Sequence, residues 1–164
     1  WDLPVVFVCQ NNLYAEMTPT SDTMKLEHVA DRAAGYGMPG VRVDGNDPLA
    51  VTEALAEAVE KARNGEGPTV IECVTFRFRG HCFGDRMKYI PSAQLESAKA
   101  ADPVPRFRRH LIDSGVCTDD ELSGIDEGAL VSVESALKIV IAAEAPTIDE
   151  LERDVYATPI AFPV

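Results

Sequence analysis

The chain has 164 residues, of which 46% are hydrophobic and 26% are charged, and its formal net charge is −12. This hydrophobic content is too high for a disordered chain, and no apolar run approaches the roughly twenty residues that a membrane-spanning helix needs. The composition therefore predicts a soluble, globular chain of one domain's length. The excess of acidic residues argues against nucleic acid as a partner.

The cysteines and the start of the chain predict a cytoplasmic protein. Cys9, Cys73, Cys82 and Cys117 are widely spaced and form no CxxC pair. Such spacing is typical of reduced thiols rather than of a disulfide framework or a zinc site. No basic leader precedes the first apolar segment, so no secretory signal is expected. The chain begins abruptly, and we expect it to be part of something longer.

Three apolar segments predict the strands of a parallel sheet. The continuous run 5–9 predicts a strand that is buried on both faces. Residues 41–43 and the β-branched run 69–74 predict two further strands. Because helical patterns separate these strands with short connections, the arrangement indicates βαβ units and an α/β fold.

Two helices are expected between the strands. Apolar residues from Leu26 to Ala33 recur at helical spacing, and Gly35 and Gly37 are expected to end that helix. Asp47 followed by Pro48 is a typical helix start, with aspartate as the N-cap and proline in the first turn. The apolar stripe of this second helix continues to Ala62.

Beyond residue 78 the pattern changes from strands to helices. Residues 79–91 predict an irregular loop, and 103–114 predict a helix. Thr118 and Glu121 form the pattern of a capping box. The helix that follows carries apolar residues at 3.6-residue spacing: Leu130, Val133, Leu137, Val140 and Ile141. The tail from Pro146 is predicted to be extended.

These elements predict one domain over 1–164 with three parts. Residues 1–78 form the βαβ part, 79–91 form a candidate active-site loop, and 92–164 form a mainly helical part. We expect the helical part to pack as a layer on the sheet, because no linker-like break separates the two.

Two polar segments follow predicted strands, where ligands of open parallel sheets bind. Asn11, Asn12 and Tyr14 offer amide and carbonyl oxygens, which are hard donors that suit Mg²⁺. An ordinary turn explains the same residues, since asparagine is common where a chain leaves a strand. The first segment therefore leaves both interpretations open.

The second polar segment is basic within an acidic chain. Arg77 and Arg79 can hold a phosphate or carboxylate, and His81 can transfer protons near neutral pH. The alternative is a solvated loop whose histidine makes a structural hydrogen bond. Cys82 is an unsupported nucleophile, because the sequence offers no groups to activate its thiolate.

Together these segments resemble the C-terminal half of the alpha subunits of thiamine-diphosphate-dependent 2-oxo acid (pyruvate-type) and acetoin dehydrogenases. The resemblance covers essentially the whole chain through ordered motifs at 3–15, 37–47, 65–72, 76–81, 102–107 and 154–156. It implies a parallel sheet of the thiamine-diphosphate-binding fold followed by a helical layer. It also implies thiamine diphosphate and Mg²⁺ as cofactors.

The resemblance assigns roles to residues of both polar segments. Asn12 would bind Mg²⁺ through its side chain and Tyr14 through its carbonyl oxygen. His81 would be the catalytic histidine, in contact with thiamine diphosphate and handling protons. Arg77 and Arg79 would orient the loop or meet the diphosphate. Asp85 matches an acidic residue of the same loop.

The resemblance also implies a reaction and partners. The enzyme would cleave a 2-oxo acid or acetoin and pass the acyl group to the lipoyl group of an acyltransferase component. The alpha subunit would assemble with a beta subunit into a heterotetramer of two copies of each. Which substrate is used (pyruvate, acetoin or a branched-chain 2-oxo acid) stays open.

Two departures from the family pattern bear on activity. The family's GDG motif, whose aspartate is a third Mg²⁺ ligand, does not occur ahead of Asn12 in this sequence. Cys82 stands where animal pyruvate dehydrogenases carry a regulatory phosphoserine, so that form of control is not expected. The alternative function is a non-catalytic fragment or assembly module that retains partner-binding surfaces.

Overall fold

The structure, a computed structural model, describes residues 1–150 and Arg153. The chain divides into two compact units, Trp1–Val116 and Cys117–Val164. The organisation of 1–164 as one domain stays a prediction. The family-like ending at 154–156 lies outside the described residues.

The first unit is built on a three-stranded parallel sheet with the order β1-β5-β4. The strands of the described chain are β1 (Val6–Asn11), β2 (Tyr14–Ala15), β3 (Thr18–Pro19), β4 (Gly40–Asp44) and β5 (Thr69–Val74). Its helices are α1 (Thr20–Thr23), α2 (Pro48–Arg63), α3 (Ser92–Ala100) and α4 (Pro103–Asp113), and a 3₁₀ helix spans Ala30–Tyr36. The predicted α/β class with a parallel sheet is confirmed.

Helices cover both faces of the central strand β5. The connections β1-to-β4 and β4-to-β5 run in opposite directions across the sheet, so right-handed crossovers place the 3₁₀ helix and α2 on opposite faces. Ile71 and Cys73 pack against Ala58 of α2 to form the apolar core. The intervening Glu72 points to the other face, where its carboxylate accepts a hydrogen bond from the Ala30 amide.

The three strands of the sheet lie where the sequence predicted them, but the predicted burial of β1 is wrong. β1 extends beyond the apolar run to Asn11, because Gln10 and Asn11 still pair with β5. The prediction that β1 is buried on both faces is wrong, since Phe7 is 51% and Val8 50% exposed. β1 is an edge strand of the described sheet and pairs only with β5, so one of its sides has no neighbouring strand to cover it.

The helix start that was predicted from an N-cap is correct, whereas the helix that was predicted from apolar spacing is not. Helix α2 begins after Asp47 as predicted, and the Asp47 carboxylate accepts hydrogen bonds from the amides of Leu49 (3.0 Å) and Ala50 (3.3 Å). The α-helix predicted from Leu26 is wrong, because the chain forms a short 3₁₀ helix further along. Gly37 ends that helix with φ +72°. The hairpin of β2 and β3 and the helices α1 and α3 were not predicted.

The second unit consists mainly of helix α5 (Asp119–Ala142). The predicted capping box is confirmed: Glu121 Oε2 accepts the Thr118 amide at 2.8 Å, and Thr118 Oγ1 accepts the Glu121 amide at 3.3 Å. Residues of the predicted apolar stripe are largely exposed, with Leu137 at 56% and Ile141 at 75%. The tail predicted to be extended contains a 3₁₀ turn at Ile148–Glu150. No helix within the described part of the chain is long and apolar enough to span a membrane.

The N-cap of α2 yields a test of the fold. Asp47→Ala removes the acceptor for two amides of the first turn, so the free energy of unfolding should fall by about 1 kcal/mol. Urea unfolding monitored by circular dichroism measures this change. Asp47→Asn is the control, because its side-chain oxygen still caps the helix and stability should change little. Equal losses in both variants would contradict the capping role.

Candidate functional site

The two polar segments lie side by side at the carboxyl edge of the sheet. In the parallel register, Asn11 at the end of β1 is opposite Val74 at the end of β5. The Thr75 amide continues the pairing with a 2.8 Å hydrogen bond to the Asn11 carbonyl oxygen. The segments that follow these strands therefore start next to one another, as the sequence predicted.

Two asparagine side chains shape the segment after β1. Asn11 Oδ1 accepts the Leu13 amide at 2.9 Å, and Asn12 Oδ1 accepts the Tyr14 amide at 3.0 Å. Leu13 has a φ of +68°, a left-handed conformation that non-glycine residues seldom adopt. The Leu13 carbonyl oxygen accepts the Thr20 amide at 2.9 Å, which closes the segment into a hairpin. Local hydrogen bonds thus hold a backbone conformation that is otherwise unfavourable.

The donor chemistry of this segment fits Mg²⁺. An amide oxygen has two lone pairs, and the Tyr14 amide occupies one of those on Asn12 Oδ1. Through its second lone pair, Asn12 Oδ1 can still bind a cation, and it is a hard oxygen donor of the kind Mg²⁺ prefers. The Tyr14 carbonyl oxygen, the other predicted ligand, is a donor of the same kind. Within residues 1–150 and 153, no cluster of three or more His, Cys, Asp or Glu side chains is placed to hold a metal ion.

The Tyr14 side chain fixes the first segment against the second. Its ring packs edge-on against Phe76 and Tyr89, with centroid distances of 6.3 and 5.7 Å. Its hydroxyl donates to Gln94 Oε1 of α3 at 2.7 Å. The sequence prediction used only the Tyr14 carbonyl, so this positioning contact is new. It places the candidate cation ligands beside the basic loop.

Arg77 joins the two segments and orients the histidine. Its Nη2 donates to the Glu16 carbonyl oxygen at 2.6 Å and to the Tyr89 hydroxyl at 2.8 Å. Its Nη1 lies 3.3 Å from His81 Nδ1. Because a guanidinium can only donate, this contact requires a lone pair on Nδ1. The neutral imidazole in this arrangement carries its proton on Nε2.

The predicted anion-binding residues differ in their surroundings. Arg77 Nε is buried and has no acceptor among the described residues. A buried donor without a partner costs about 1–3 kcal/mol, so an anionic group on this side would satisfy it. Arg79 is exposed, and no hydrogen bond or ion pair joins it to another described residue. The structure therefore brings Arg77 together with His81 and leaves Arg79 apart.

Asp85 organises the loop that carries His81. Its carboxylate accepts the His81 amide, the Met87 amide and the Tyr89 hydroxyl, each at 2.8 Å. The hydrogen bonds from Met87, His81 and Tyr89 lower the pKa of Asp85 below its usual value. Gly80 is required beside it, because a Cβ there would lie 2.6 Å from Asp85 Cβ.

Residues that sequence reasoning missed provide the connections. Tyr89 both accepts from Arg77 and donates to Asp85, and Gln94 accepts from Tyr14. Partial burial and the hydrogen bond to Asp85 raise the pKa of Tyr89, so its phenol keeps the proton it donates. Tyr89 and Gln94 follow the motif at 76–81 in the sequence. No residue pattern in the sequence predicted that they would contact the site.

The thiols do not add to this site. All four cysteines are free, and Cys82 beside His81 is exposed. Burial raises the pKa of Cys9, and the negative charge of Glu72 raises it further by a smaller amount. Burial also raises the pKa of Cys73. Both thiols therefore stay protonated at neutral pH; Cys73 lies in the core, and Cys9 is partly buried.

The parallel sheet with its two converging loops defines an α/β protein with an oxygen-donor segment and a basic loop at the carboxyl edge of the sheet. The chain belongs to the dehydrogenase E1 component family, whose model matches residues 1–149. It is 42% identical over 160 residues to the alpha subunit of acetoin:2,6-dichlorophenolindophenol oxidoreductase of Bacillus subtilis. This match covers 96% of the chain and 47% of the relative.

The names of other relatives refer to different substrates. The chain is 40% identical to the alpha subunit of 2-oxoisovalerate dehydrogenase of B. subtilis, covering 96% of the chain and 44% of the relative. It is 34% identical to the alpha subunit of the pyruvate dehydrogenase E1 component of Porphyra purpurea, covering 96% of the chain and 46% of the relative. The chain thus spans about half the length of these relatives. The predicted family is confirmed.

The depressed pKa of Asp85 yields a pH-dependent test. Its ionised form is favoured by folding, so its stabilisation is present above the unfolded-state pKa of about 4 and is lost as the pH falls through the lower folded-state pKa. Asp85→Asn should therefore lower the melting temperature at pH 7 and have a progressively smaller effect as the pH falls below about 4. Melting curves of both proteins from pH 7 to pH 3 measure this difference. A difference that stays constant across the range would contradict the assignment.

Proposed function

We propose that this chain contributes to the alpha subunit of a thiamine-diphosphate-dependent dehydrogenase. The enzyme acts on a pyruvate-like 2-oxo acid or on acetoin and transfers the acyl group to a lipoyl carrier. The observation that carries the proposal is the position of Arg77, which contacts the Asn12-to-Glu16 segment and His81 at once. Family membership supports it.

Two sets of residues would hold the cofactors. The Asn12 side chain and the Tyr14 carbonyl oxygen would bind Mg²⁺. Arg77 would meet the diphosphate through its unpaired Nε, and Arg79, which is exposed and apart from His81, would add positive charge to the same loop. When bound, thiamine diphosphate supplies the electron sink for cleaving the bond next to the substrate carbonyl.

His81 would hold and transfer a proton at a defined atom. Arg77 Nη1 occupies the Nδ1 lone pair, so Nε2 carries the proton that the imidazole can donate. The Asp85 carboxylate fixes the His81 backbone, so ring and main chain are oriented by separate groups. A residue held in this way reaches its reacting partner with little further ordering.

The partners follow from the same proposal. A beta subunit would complete a heterotetramer of two alpha and two beta chains, in keeping with the alpha-subunit names of the relatives. The lipoyl-bearing acyltransferase component would receive the acyl group.

Variants of the two candidate ligand groups test the site. The protein is expressed from its complete reading frame together with a beta-type subunit. Asn12→Ala should weaken Mg²⁺-dependent thiamine diphosphate binding by roughly 10- to 100-fold, measured by calorimetry. His81→Ala should lower kcat by about 10²- to 10⁴-fold, measured with an artificial electron acceptor. Undiminished affinity and turnover in these variants would refute the site.

Matched controls and substrates complete the experiment. Asn64→Ala at the end of α2 and His110→Ala on α4 should leave binding and turnover unchanged. Pyruvate, acetoin and 3-methyl-2-oxobutanoate are compared as substrates, because the relatives act on all three classes by name. A folded assembly that binds no cofactor and turns over none of the three would support the alternative, a non-catalytic assembly module.

A further inference from the structure

A buried carboxylate lies beside the candidate Mg²⁺ segment. Glu72 in the middle of β5 is 1% exposed. Its Oε1 accepts Asn11 Nδ2 at 2.6 Å, and its Oε2 accepts the Ala30 amide at 3.0 Å. Burial raises the pKa of Glu72, but the hydrogen bonds from Ala30, Asn11 and the Val29 backbone, together with the charge of Arg42, outweigh burial, and the pKa lies below its usual value. The carboxylate is therefore ionised at neutral pH.

This one carboxylate holds both ends of a long segment. Asn11 is the last residue of β1, and Ala30 is the first residue of the 3₁₀ helix. Residues 12–29, which include both candidate Mg²⁺ ligands, lie between them. A single side chain thus closes the segment, which narrows the range of conformations that residues 12–29 can adopt.

The hydrogen-bond pattern also fixes the orientation of an amide. An ionised carboxylate only accepts hydrogen bonds, so Asn11 must turn its Nδ2 toward Glu72. Its Oδ1 is then directed to the Leu13 amide, which it accepts at 2.9 Å. This bond supports the left-handed Leu13 between Asn12 and Tyr14.

We propose that Glu72 is a positioning residue for the cation site: acting through Asn11, its carboxylate sets the backbone that presents Asn12 Oδ1 and the Tyr14 carbonyl oxygen. This inference rests on the proposed function, in which those two oxygens bind Mg²⁺. Glu72 would act through Asn11 and would not itself be a ligand of the cation. Asn11 Nδ2 and the Ala30 amide are both donors, so the role requires a side chain that only accepts hydrogen bonds.

Glu72→Gln tests the acceptor-only requirement. Glutamine offers one acceptor and one donor, so Asn11 Nδ2 or the Ala30 amide faces an N–H group, or Asn11 flips its amide and the Leu13 amide loses its acceptor. The affinity for Mg²⁺, titrated at saturating thiamine diphosphate in the complete assembly, should fall by roughly 10- to 100-fold. Glu53→Gln, an exposed glutamate of α2, is the matched control and should bind as the unaltered protein does.

A second substitution restores the hydrogen-bond pattern and moves the negative charge from position 72 to position 11. In the double variant Glu72→Gln with Asn11→Asp, the introduced glutamine donates to the introduced carboxylate and accepts the Ala30 amide, while that carboxylate accepts the Leu13 amide. Most of the lost Mg²⁺ affinity should return. If Glu72→Gln alone does not fold, the double variant should fold and bind Mg²⁺. A double variant that neither folds nor binds overturns the proposal, as does a folded Glu72→Gln protein with unchanged Mg²⁺ affinity.

A readout without cofactors separates this proposal from the function it rests on. Amide hydrogen exchange at Leu13 and Ala30 should be about tenfold faster in Glu72→Gln and return toward the original rate in the double variant. Unchanged exchange at both amides overturns the positioning role. An assembly that binds no Mg²⁺ or thiamine diphosphate in any form refutes the proposed function, and the exchange rates then still decide whether Glu72 holds the segment.

Discussion

The parallel pairing of β1 with β5 is the constraint on which the geometry of the site depends. Because Asn11 is opposite Val74, both strands end at the same level, and the chain leaves them in the same direction. Side chains from segments far apart in sequence can therefore meet, as Tyr14 and Tyr89 do. If β5 shifted by one residue in the sheet, Glu72 would point toward the apolar core and lose its hydrogen bonds. The register of β5 and these polar contacts therefore support one another.

The alternation of β5 explains how a strand so apolar in sequence carries a charge. Ile71 and Cys73 face α2 and exclude water, whereas Glu72 faces the 3₁₀ helix. Burying a carboxylate costs several kcal/mol unless hydrogen bonds replace its hydration. Asn11 and Ala30 supply those bonds, and each belongs to the boundary of a neighbouring element. The charge therefore links strand, loop and helix, which an apolar residue at that position could not do.

Sequence patterns predicted the elements whose causes are local and missed those with distant causes. Asp47 and the capping box of Thr118 identified helix starts, because a cap is determined by the residues next to it. The segment from Leu26 follows helical spacing but forms a 3₁₀ helix from Ala30 onward, where the Glu72 carboxylate accepts the first amide. In the site, motif positions such as His81 were predictable. Tyr89 was not, because its role comes from tertiary contacts that have no period in the sequence.

The two loops of the site are ordered by different means, and this bears on how a ligand would meet them. The basic loop is held by its own side chains: Tyr89 accepts from Arg77 and donates to Asp85, which accepts the His81 amide. The asparagine segment is anchored in the sheet through Glu72. Since both are ordered by contacts within the described chain, little conformational entropy remains for a ligand to remove on binding. Arg77 Nε lies where the two loops meet, buried and without an acceptor among the described residues, and an anion that reached it would complete the hydrogen bonding.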